Sequence, residues 1–483
     1  PYPPLGLLYL RASLARAGFA VEVADSTFET PEGIEARFER ERPPVVGIYG
    51  NLMTRASVVR LARAAKRAGA HVVFGGPEPT NYAEEFLERG ADVIVHGEGE
   101  VTLSELLPAL RAKGPHRLEE VSGITYRDEA GQVHRTPARA LVKNLDDFPD
   151  PDREAIDSAR YVRVWRERHG MGSISLITAR GCPFTCRWCS HGVYGHSHRR
   201  HSVARTVAQI EALRERYQPD QLWFADDVFT AGKGWIYQLR DRLRARGTML
   251  PFECITRADR MDEDVADALR DLRCRRVWIG GESGSQRLLD AMERGVTVEQ
   301  VRTAARLCRE RGIEVGLFLM WGYDGEEIDD VEQTIAQVRA TRPDEFLTTL
   351  SYPIKGTPYF EQLEGRRITP DDWETSSDRE IEVRGRFSRR FYGLADRRLH
   401  CLVRSDRARA AGPVRGVTES LAFEMRAAAR RTKVSERSRS PPARCPGAVL
   451  GDPASRHRGA PAPPCVSGLG WGGVATRHRG TNM

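Results

Sequence analysis

The residues best suited to chemistry are three cysteines in the run Gly181-Cys182-Pro183-Phe184-Thr185-Cys186-Arg187-Trp188-Cys189. Thiolates serve as nucleophiles, redox groups and soft metal ligands. Three of them within eight residues cannot pair usefully in a reducing compartment. A structural zinc site takes four protein ligands, usually in paired spacings, and no fourth cysteine is near. His191 or His196 would have to complete one. Iron–sulfur clusters are held by thiolates, and three ligands from one tight loop leave one iron of a 4Fe-4S cluster open to a small molecule. The remaining cysteines (254, 274, 308, 401, 445 and 465) are scattered and read as core or tail thiols.

Regular elements must position this loop. Strand-like runs fall at 173–179, 221–225, 252–256, 276–279, 314–320 and 345–352, with helical patterns between them. Ile210, Leu213 and Tyr217 share one helix face, and Val265, Leu269 and Leu272 another. Six strand–helix repeats predict a partial (β/α)6 barrel, TIM-like, with its site at the strand C-terminal ends. Polar residues cluster there: Asp226 and Asp227, Arg257, Gly280-Gly281-Glu282-Ser283-Gly284-Ser285, Gly322 to Glu326, and Tyr352 to Pro358.

Upstream, strands at 45–50, 71–74 and 92–95 alternate with helices at 56–68, 82–89 and 102–112. That order predicts an α/β, Rossmann-like, doubly wound parallel sheet. Gly75-Gly76-Pro77 and Gly97-Glu98-Gly99-Glu100 end two of the strands. Ligands on such sheets lie beyond the strand C-termini, where glycine lets backbone approach closely. A plain turn is the other reading of Gly-Gly-Pro. His71 reads as structural, and His96 stands in a glycine loop that could line a site. A helix from Leu5, followed by a strand at 21–24, predicts that a first strand is missing ahead of the chain. A hairpin is expected at 121–137 and an extended linker at 146–152.

With these residues in place the chain resembles the radical S-adenosylmethionine (SAM) enzymes. They carry this three-cysteine signature with an aromatic, here Trp188, before the last cysteine. The first domain resembles the cobalamin-binding domain fused ahead of the radical SAM domain in one large subclass. The resemblance covers residues 1 to about 400, and it implies three cofactors: a 4Fe-4S cluster, S-adenosyl-L-methionine and cobalamin. The cluster falls to Cys182, Cys186 and Cys189. Gly280, Gly281 and Glu282 fall at the SAM amino group, with Glu282 accepting from the ammonium. Ser283 is expected at ribose or carboxylate oxygens, and Arg257 at the SAM carboxylate. Trp188 and Asp226 are also expected near SAM; of Asp226 and Asp227, one faces the barrel mouth and the other caps the next helix. Thr54, Gly75, Gly76, Pro77, Gly97, Glu98 and Gly99 are the cobalamin-side residues. No Asp-x-His-x-x-Gly run occurs, which implies cobalamin without a lower histidine. Tyr352 and Lys355 lie in a stretch that resembles the subclass's pre-substrate loop. The basic run 196–201 reads as a solvated helix entry or as a contact for an anionic substrate.

The activity implied is reductive cleavage of SAM to a 5′-deoxyadenosyl radical, then methylation of an unactivated carbon or phosphorus centre of a small molecule. An external one-electron reductant of the flavodoxin or ferredoxin type would be needed. A radical ring-forming or oxidative enzyme, similar to the anaerobic magnesium-protoporphyrin monomethyl ester cyclase, is the alternative. A truncated, non-catalytic binder of cobalamin or cluster is a third reading. A methylthiotransferase needs a further cysteine set ahead of residue 182, where no cysteine occurs.

Composition bounds these readings. A chain of 483 residues predicts two to four domains. With 40% hydrophobic and 29% charged residues it is neither wholly disordered nor collagen-like. No apolar run reaches the ~18–20 residues of a membrane span and no signal peptide is visible, so the expected location is cytoplasmic. The net charge of +7 suggests nucleic acid at first sight. Residues 404–483 hold 15 of the 74 basic and 5 of the 67 acidic side chains, which leaves 59 and 62 in residues 1–403, a net of −3. The basic signal therefore belongs to the tail, and a nucleic-acid partner is not expected. The tail repeats Arg-His-Arg-Gly at 456 and 477 and is rich in Gly and Pro. It reads as disordered, or as run-on translation of GC-rich DNA. The expected division is 1–115 cobalamin-binding, 116–160 hairpin and linker, 161–370 radical SAM, 371–430 helical, and 431–483 tail.

Overall fold

The computed structural model describes residues 1–111 and 118–411. The expected tail at 431–483 lies outside these residues. So does most of the helical reading of 404–430, apart from the end of helix Arg389–Ala411.

The first sheet has five strands in the order β1 (Val45–Tyr49), β2 (His71–Gly75), β3 (Val93–Val95), β4 (Ile124–Arg127) and β5 (Val133–Arg135). β1, β2 and β3 are parallel. Helix Arg55–Arg67 covers them with Val58, Val59, Ala62 and Ala65, a stripe at helical spacing that packs with Val72, Phe74 and Ile94. The expected hairpin forms, but it does not stand in a separate connector. β4 pairs antiparallel with β3, and β5 with β4. Ile124 and Tyr126, alternating on β4, complete the core under Val93 and Val95, so the sheet is mixed rather than wholly parallel.

No strand forms at 21–24. That segment is pinned by its side chains instead: Tyr161 donates its hydroxyl to Asp25 at 2.7 Å, from helix Ser158–His169. Helix Pro31–Glu41 was not expected, because only Ile34 on it is buried. Its start signal was present, with Thr30 capping Gly33 N and Pro31 in the first turn.

The second sheet has six parallel strands in chain order: β6 (Ser173–Leu176), β9 (Gln221–Phe224), β10 (Phe252–Thr256), β11 (Cys274–Glu282), β12 (Glu314–Trp321) and β13 (Glu345–Leu350). Between β6 and β9 a short antiparallel ribbon forms from β7 (Ala179–Arg180) and β8 (Arg199–Arg200). Helices return between strands, each burying one face: Val207, Ile210 and Leu213 on one, Val265 and Leu269 on the next. This is the expected open (β/α)6 barrel. Among the described residues no helix is long and apolar enough to cross a membrane.

Candidate active site

The cysteines sit on loop 181–198, which leaves the barrel at the end of β6 and is closed at its base by the β7–β8 ribbon. Asp226 anchors that ribbon. Fully buried, it accepts Thr178 N at 2.6 Å, Ala179 N at 3.0 Å, the Thr178 hydroxyl, and Arg200 at 2.9 Å. The expectation that Asp226 meets SAM is therefore corrected: its carboxylate is spent on the backbone below the cluster loop. Asp227 is the residue left in the mouth. Desolvation there, then the neighbouring Asp226 carboxylate, push it up to about 6.

Cys186 is buried, while Cys182 and Cys189 are half-buried. Burial pushes the Cys189 thiol up to about 12, with the thiolates of Cys186 and Cys182 adding to the effect. Burial raises Cys182 as well. Three thiolates in so dry a pocket need a positive partner, and a metal cluster bound by deprotonated thiols provides one. The thiols stand within electrostatic reach of one another. Yet among the described residues no three His, Cys, Asp or Glu side chains converge on a point as one zinc ion requires. His191 and His196 stack on each other at 4.1 Å instead. Three thiols on one loop are the ligand type and number that a 4Fe-4S cluster with one open iron takes.

Two buried guanidinium groups aim at Cys186. Arg257 and Arg294 each place a terminal nitrogen 3.6 Å from its Sγ. Arg257 is otherwise consumed by Asp259 at 2.9 Å and by the Arg294 carbonyl at 2.7 Å, and it lies over the Phe184 ring. Its expected role at the SAM carboxylate is corrected to one at the cysteine loop. Arg294 went unnoticed in the sequence, since Met292-Glu293-Arg294-Gly295 carries only a helix stop signal. It donates to Glu282 at 3.0 Å.

Glu282 ends β11 with φ +36°, a left-handed backbone that non-glycine residues seldom adopt. The turn curls its carboxylate back over Gly280, where an added Cβ would lie 2.7 Å from Glu282 Oε1. A side chain at Gly280 would displace the Glu282 carboxylate and the Arg294 guanidinium, so Gly280 and Glu282 form one cradle, with Gly281 between them. Ser283 turns the other way. Its hydroxyl meets Thr334 at 3.1 Å and accepts Ser285 N, and Ser285 donates to Asp330 at 2.6 Å. Ser283, expected at ribose or carboxylate oxygens, here fastens the loop to helix Ile328–Thr341. Trp188 packs with Tyr323, Tyr359 and Met320, and its buried indole N–H has no partner.

The first domain's glycines face this loop. Gly76 and Gly97 have φ of +104° and +72°, and a Cβ at Gly75 would meet nothing within 4 Å. Tyr49, 46% exposed, lies against Gly76, where an added Cβ would meet its ring at 2.9 Å, and Pro77 starts the short helix that follows. An apolar rim over open backbone suits a large flat ligand such as cobalamin. The Thr54 hydroxyl is engaged with Asn51, closing the turn after β1. Gly99 packs against Leu10 at the start of helix Gly99–Arg111. Glu98 is corrected: its carboxylate is taken by Arg180 and Arg199. The run 196–201 is accordingly no solvated helix entry. Arg200 pairs with Asp226, and His201 with Asp146 at 2.8 Å.

Lys355, expected on the substrate side, is engaged with the first domain. It pairs with Glu85 at 2.9 Å and lies over the Tyr82 ring, holding the loop after β13 to the first domain. Tyr352 stays half-buried near Arg379 and Asp378, and burial raises its phenol pKa. Asn81 is the meeting point of the three loops: a Cβ at Gly192 would lie 3.8 Å, and one at Gly356 3.0 Å, from its Oδ1.

His96 hydrogen-bonds Thr125 at 2.7 Å through Nε2, while its buried Nδ1 has no partner. Burial, and then Arg135, push it down to about 4. The folded state therefore binds this proton more weakly than the unfolded chain. Its stability is full above about pH 6.5 and falls as the pH drops toward 4. Measured by urea midpoints at pH 7 and pH 5, wild type should lose about 1–2 kcal/mol relative to His96→Gln over that interval.

An open (β/α)6 barrel with three thiols at its mouth, facing the glycine loops of a second α/β sheet, defines an enzyme built around two neighbouring cofactor sites. Comparison with known proteins agrees. Residues 176–338 match the model of the radical SAM superfamily, and residues 1–107 that of the B12 binding domain. An uncharacterized methyltransferase of Pyrococcus horikoshii is 31% identical over 74% of this chain and 78% of its own length. The anaerobic magnesium-protoporphyrin IX monomethyl ester cyclase of Rubrivivax gelatinosus is 25% identical over 77% and 68%. The radical SAM methyltransferase TsrM of Kitasatospora setae, solved with cobalamin and a 4Fe-4S cluster, shares the fold: TM-score 0.65 at 22% identity, over 77% of this chain and 79% of that one. The chain belongs to the radical SAM superfamily, in the group that carries a B12 binding domain ahead of the radical SAM domain. It is a radical SAM enzyme related to cobalamin-dependent methyltransferases, and its cofactors are a 4Fe-4S cluster, SAM and cobalamin.

Proposed function

We propose that this enzyme methylates an unactivated carbon or phosphorus centre of a small-molecule substrate, drawing electrons from an external flavodoxin- or ferredoxin-type reductant. The observation that carries the reading is the meeting of the cysteine loop with the first domain's glycine loops at Asn81. When bound, the cluster and SAM supply a carbon-centred radical, and cobalamin supplies a methyl group. Cys182, Cys186 and Cys189 hold the cluster. Glu282, shaped by Gly280 and Gly281, takes the SAM ammonium, and Arg294 keeps that carboxylate aimed. Gly75 leaves backbone open to the corrin, Gly76 and Pro77 shape the loop beneath Tyr49, and Gly97 faces the cysteine loop, with Thr54 holding the turn after β1. Tyr352 lies on the substrate side. In this reading the cobalamin domain runs through the hairpin to about residue 137, and the radical SAM domain begins near 158.

The cyclase reading has support from the Rubrivivax relative, which matches along both domains. SAM labelled in its methyl group separates the two. Label in the carbon skeleton or on phosphorus of the product supports methyl transfer. An oxidised or ring-closed product without label supports the cyclase and overturns methyl transfer.

A further inference from the structure

Glu98 is the hub of a buried ionic clamp between the two domains. Its Oε1 accepts Arg180 at 2.8 Å, and its Oε2 accepts Arg199 at 2.8 Å and Val142 N at 3.1 Å. Arg180 reaches on to Glu100 at 2.6 Å, and Arg199 to the Val142 carbonyl at 2.7 Å. The side chains of Arg180, Glu98 and Glu100 are 4%, 5% and 5% exposed, and Arg199 is 11% exposed. The rings of Tyr9, Phe148 and Tyr194 surround the Arg180 guanidinium.

The placement is what gives the clamp meaning. Glu98 stands between Gly97 and Gly99, in the loop that ends β3. Arg180 is the last residue of β7, just ahead of Gly181 and Cys182, and Arg199 faces it across the ribbon on β8. One carboxylate therefore grips both strands at the base of the cysteine loop, together with the linker that joins the domains. Nearby, a Cβ at Gly97 would lie 3.5 Å from the Val193 carbonyl, inside the cysteine loop. Buried charges are a poor way to gain stability, because desolvation offsets most of their attraction, and apolar residues of similar volume do as well. What a fixed set of short, directional bonds provides is register. Reactions that bring two bound groups to one centre are sensitive to displacements of about 1 Å.

We infer that Glu98 is a positioning residue. Through Arg180 and Arg199 it sets the separation between a corrin on the first domain's glycine loops and the cluster on loop 181–198. This rests on the proposed loading of both cofactors. Three donors hold the Glu98 carboxylate within the clamp, so its part is to fix the loops rather than to contact either group.

The test uses full-length protein reconstituted anaerobically with iron, sulfide and cobalamin. Iron and cobalt content and the thermal midpoint are measured first. Pulsed EPR then reads the dipolar coupling between the reduced cluster and the Co(II) centre, in wild type and in Glu98→Gln. Gln keeps the shape and loses the charge. The expected result is unchanged iron and cobalt content with a shifted or broadened distance distribution. Arg199→Met, which removes one arm at the ribbon, should broaden it in the same way, and it decides the matter if Glu98→Gln does not fold. An unchanged distribution in the folded variants overturns the inference. So does loss of cobalt from Glu98→Gln, which would make Glu98 a cobalamin contact. Wild type that takes up no cobalamin overturns the proposed function itself and the clamp with it. A defined wild-type distance that the variants leave unmoved overturns the clamp alone.

Discussion

Cys186→Ala should abolish the cluster. After anaerobic reconstitution, iron should fall from about four per chain to a small remainder, the broad visible absorption of bound iron and sulfide should vanish, and SAM cleavage should drop to background. Cys186 is chosen over its two neighbours because it is the buried one and because two guanidinium groups converge on it. Hydrogen bonds to cluster sulfurs tune reduction potential, and cationic donors stabilise the extra electron. Arg257 and Arg294 keep their carboxylate partners Asp259 and Glu282, so what the variant loses is the ligand itself. Two remaining thiols leave the cluster one protein ligand short. Arg257→Met, by contrast, should keep the iron and lower the cluster's potential. Unchanged iron content in Cys186→Ala would mean that the ligand set is wrong.

Glu282 carries the second large effect, and its two substitutions should behave differently. Glu282→Ala leaves the Arg294 guanidinium buried with no carboxylate, a situation that costs about 3–5 kcal/mol of stability. A denaturation midpoint reads this in the protein without SAM. Glu282→Gln keeps the shape and a hydrogen bond to Arg294, so the fold should survive. What it loses is a charge-assisted bond to the SAM ammonium, about 1.5–3 kcal/mol, or roughly ten- to a hundredfold in SAM affinity. Equilibrium binding of SAM to the reconstituted variant measures that. A Gln variant that binds SAM as tightly as wild type would remove Glu282 from the SAM site, whatever Glu282→Ala does to stability.

The parts legible in the sequence were those encoded by neighbours along the chain. β10 was placed to the residue because its apolar run ends at a basic turn, and the cysteine motif is complete within nine residues. The six repeats gave the barrel because each strand–helix unit repeats the same short pattern. Contacts made at long range were not legible. Arg180, Arg199 and Arg294 look like surface arginines in a chain rich in them, and only the fold buries them against Glu98, Glu100 and Glu282. Asp226 and Asp227 show the limit in one pair. Adjacent residues at a strand end point to opposite sides, and composition does not say which side is the mouth. Ser283, one residue after Glu282, makes its bonds to Thr334 on a distant helix, which the local sequence does not announce. The hairpin was read as a connector because pairing to β3 depends on which edge of the sheet is free, a property of the assembled domain.

If the barrel mouth cleaves SAM reductively beside a cobalamin-bearing domain, the reconstituted, full-length protein given SAM and a strong one-electron reductant under anaerobic conditions should release 5′-deoxyadenosine. 5′-Deoxyadenosine and methionine should form in equal amounts, dependent on the reductant and absent in Cys186→Ala. A protein that carries its full iron and cobalt yet forms no 5′-deoxyadenosine would rule out reductive cleavage at this site.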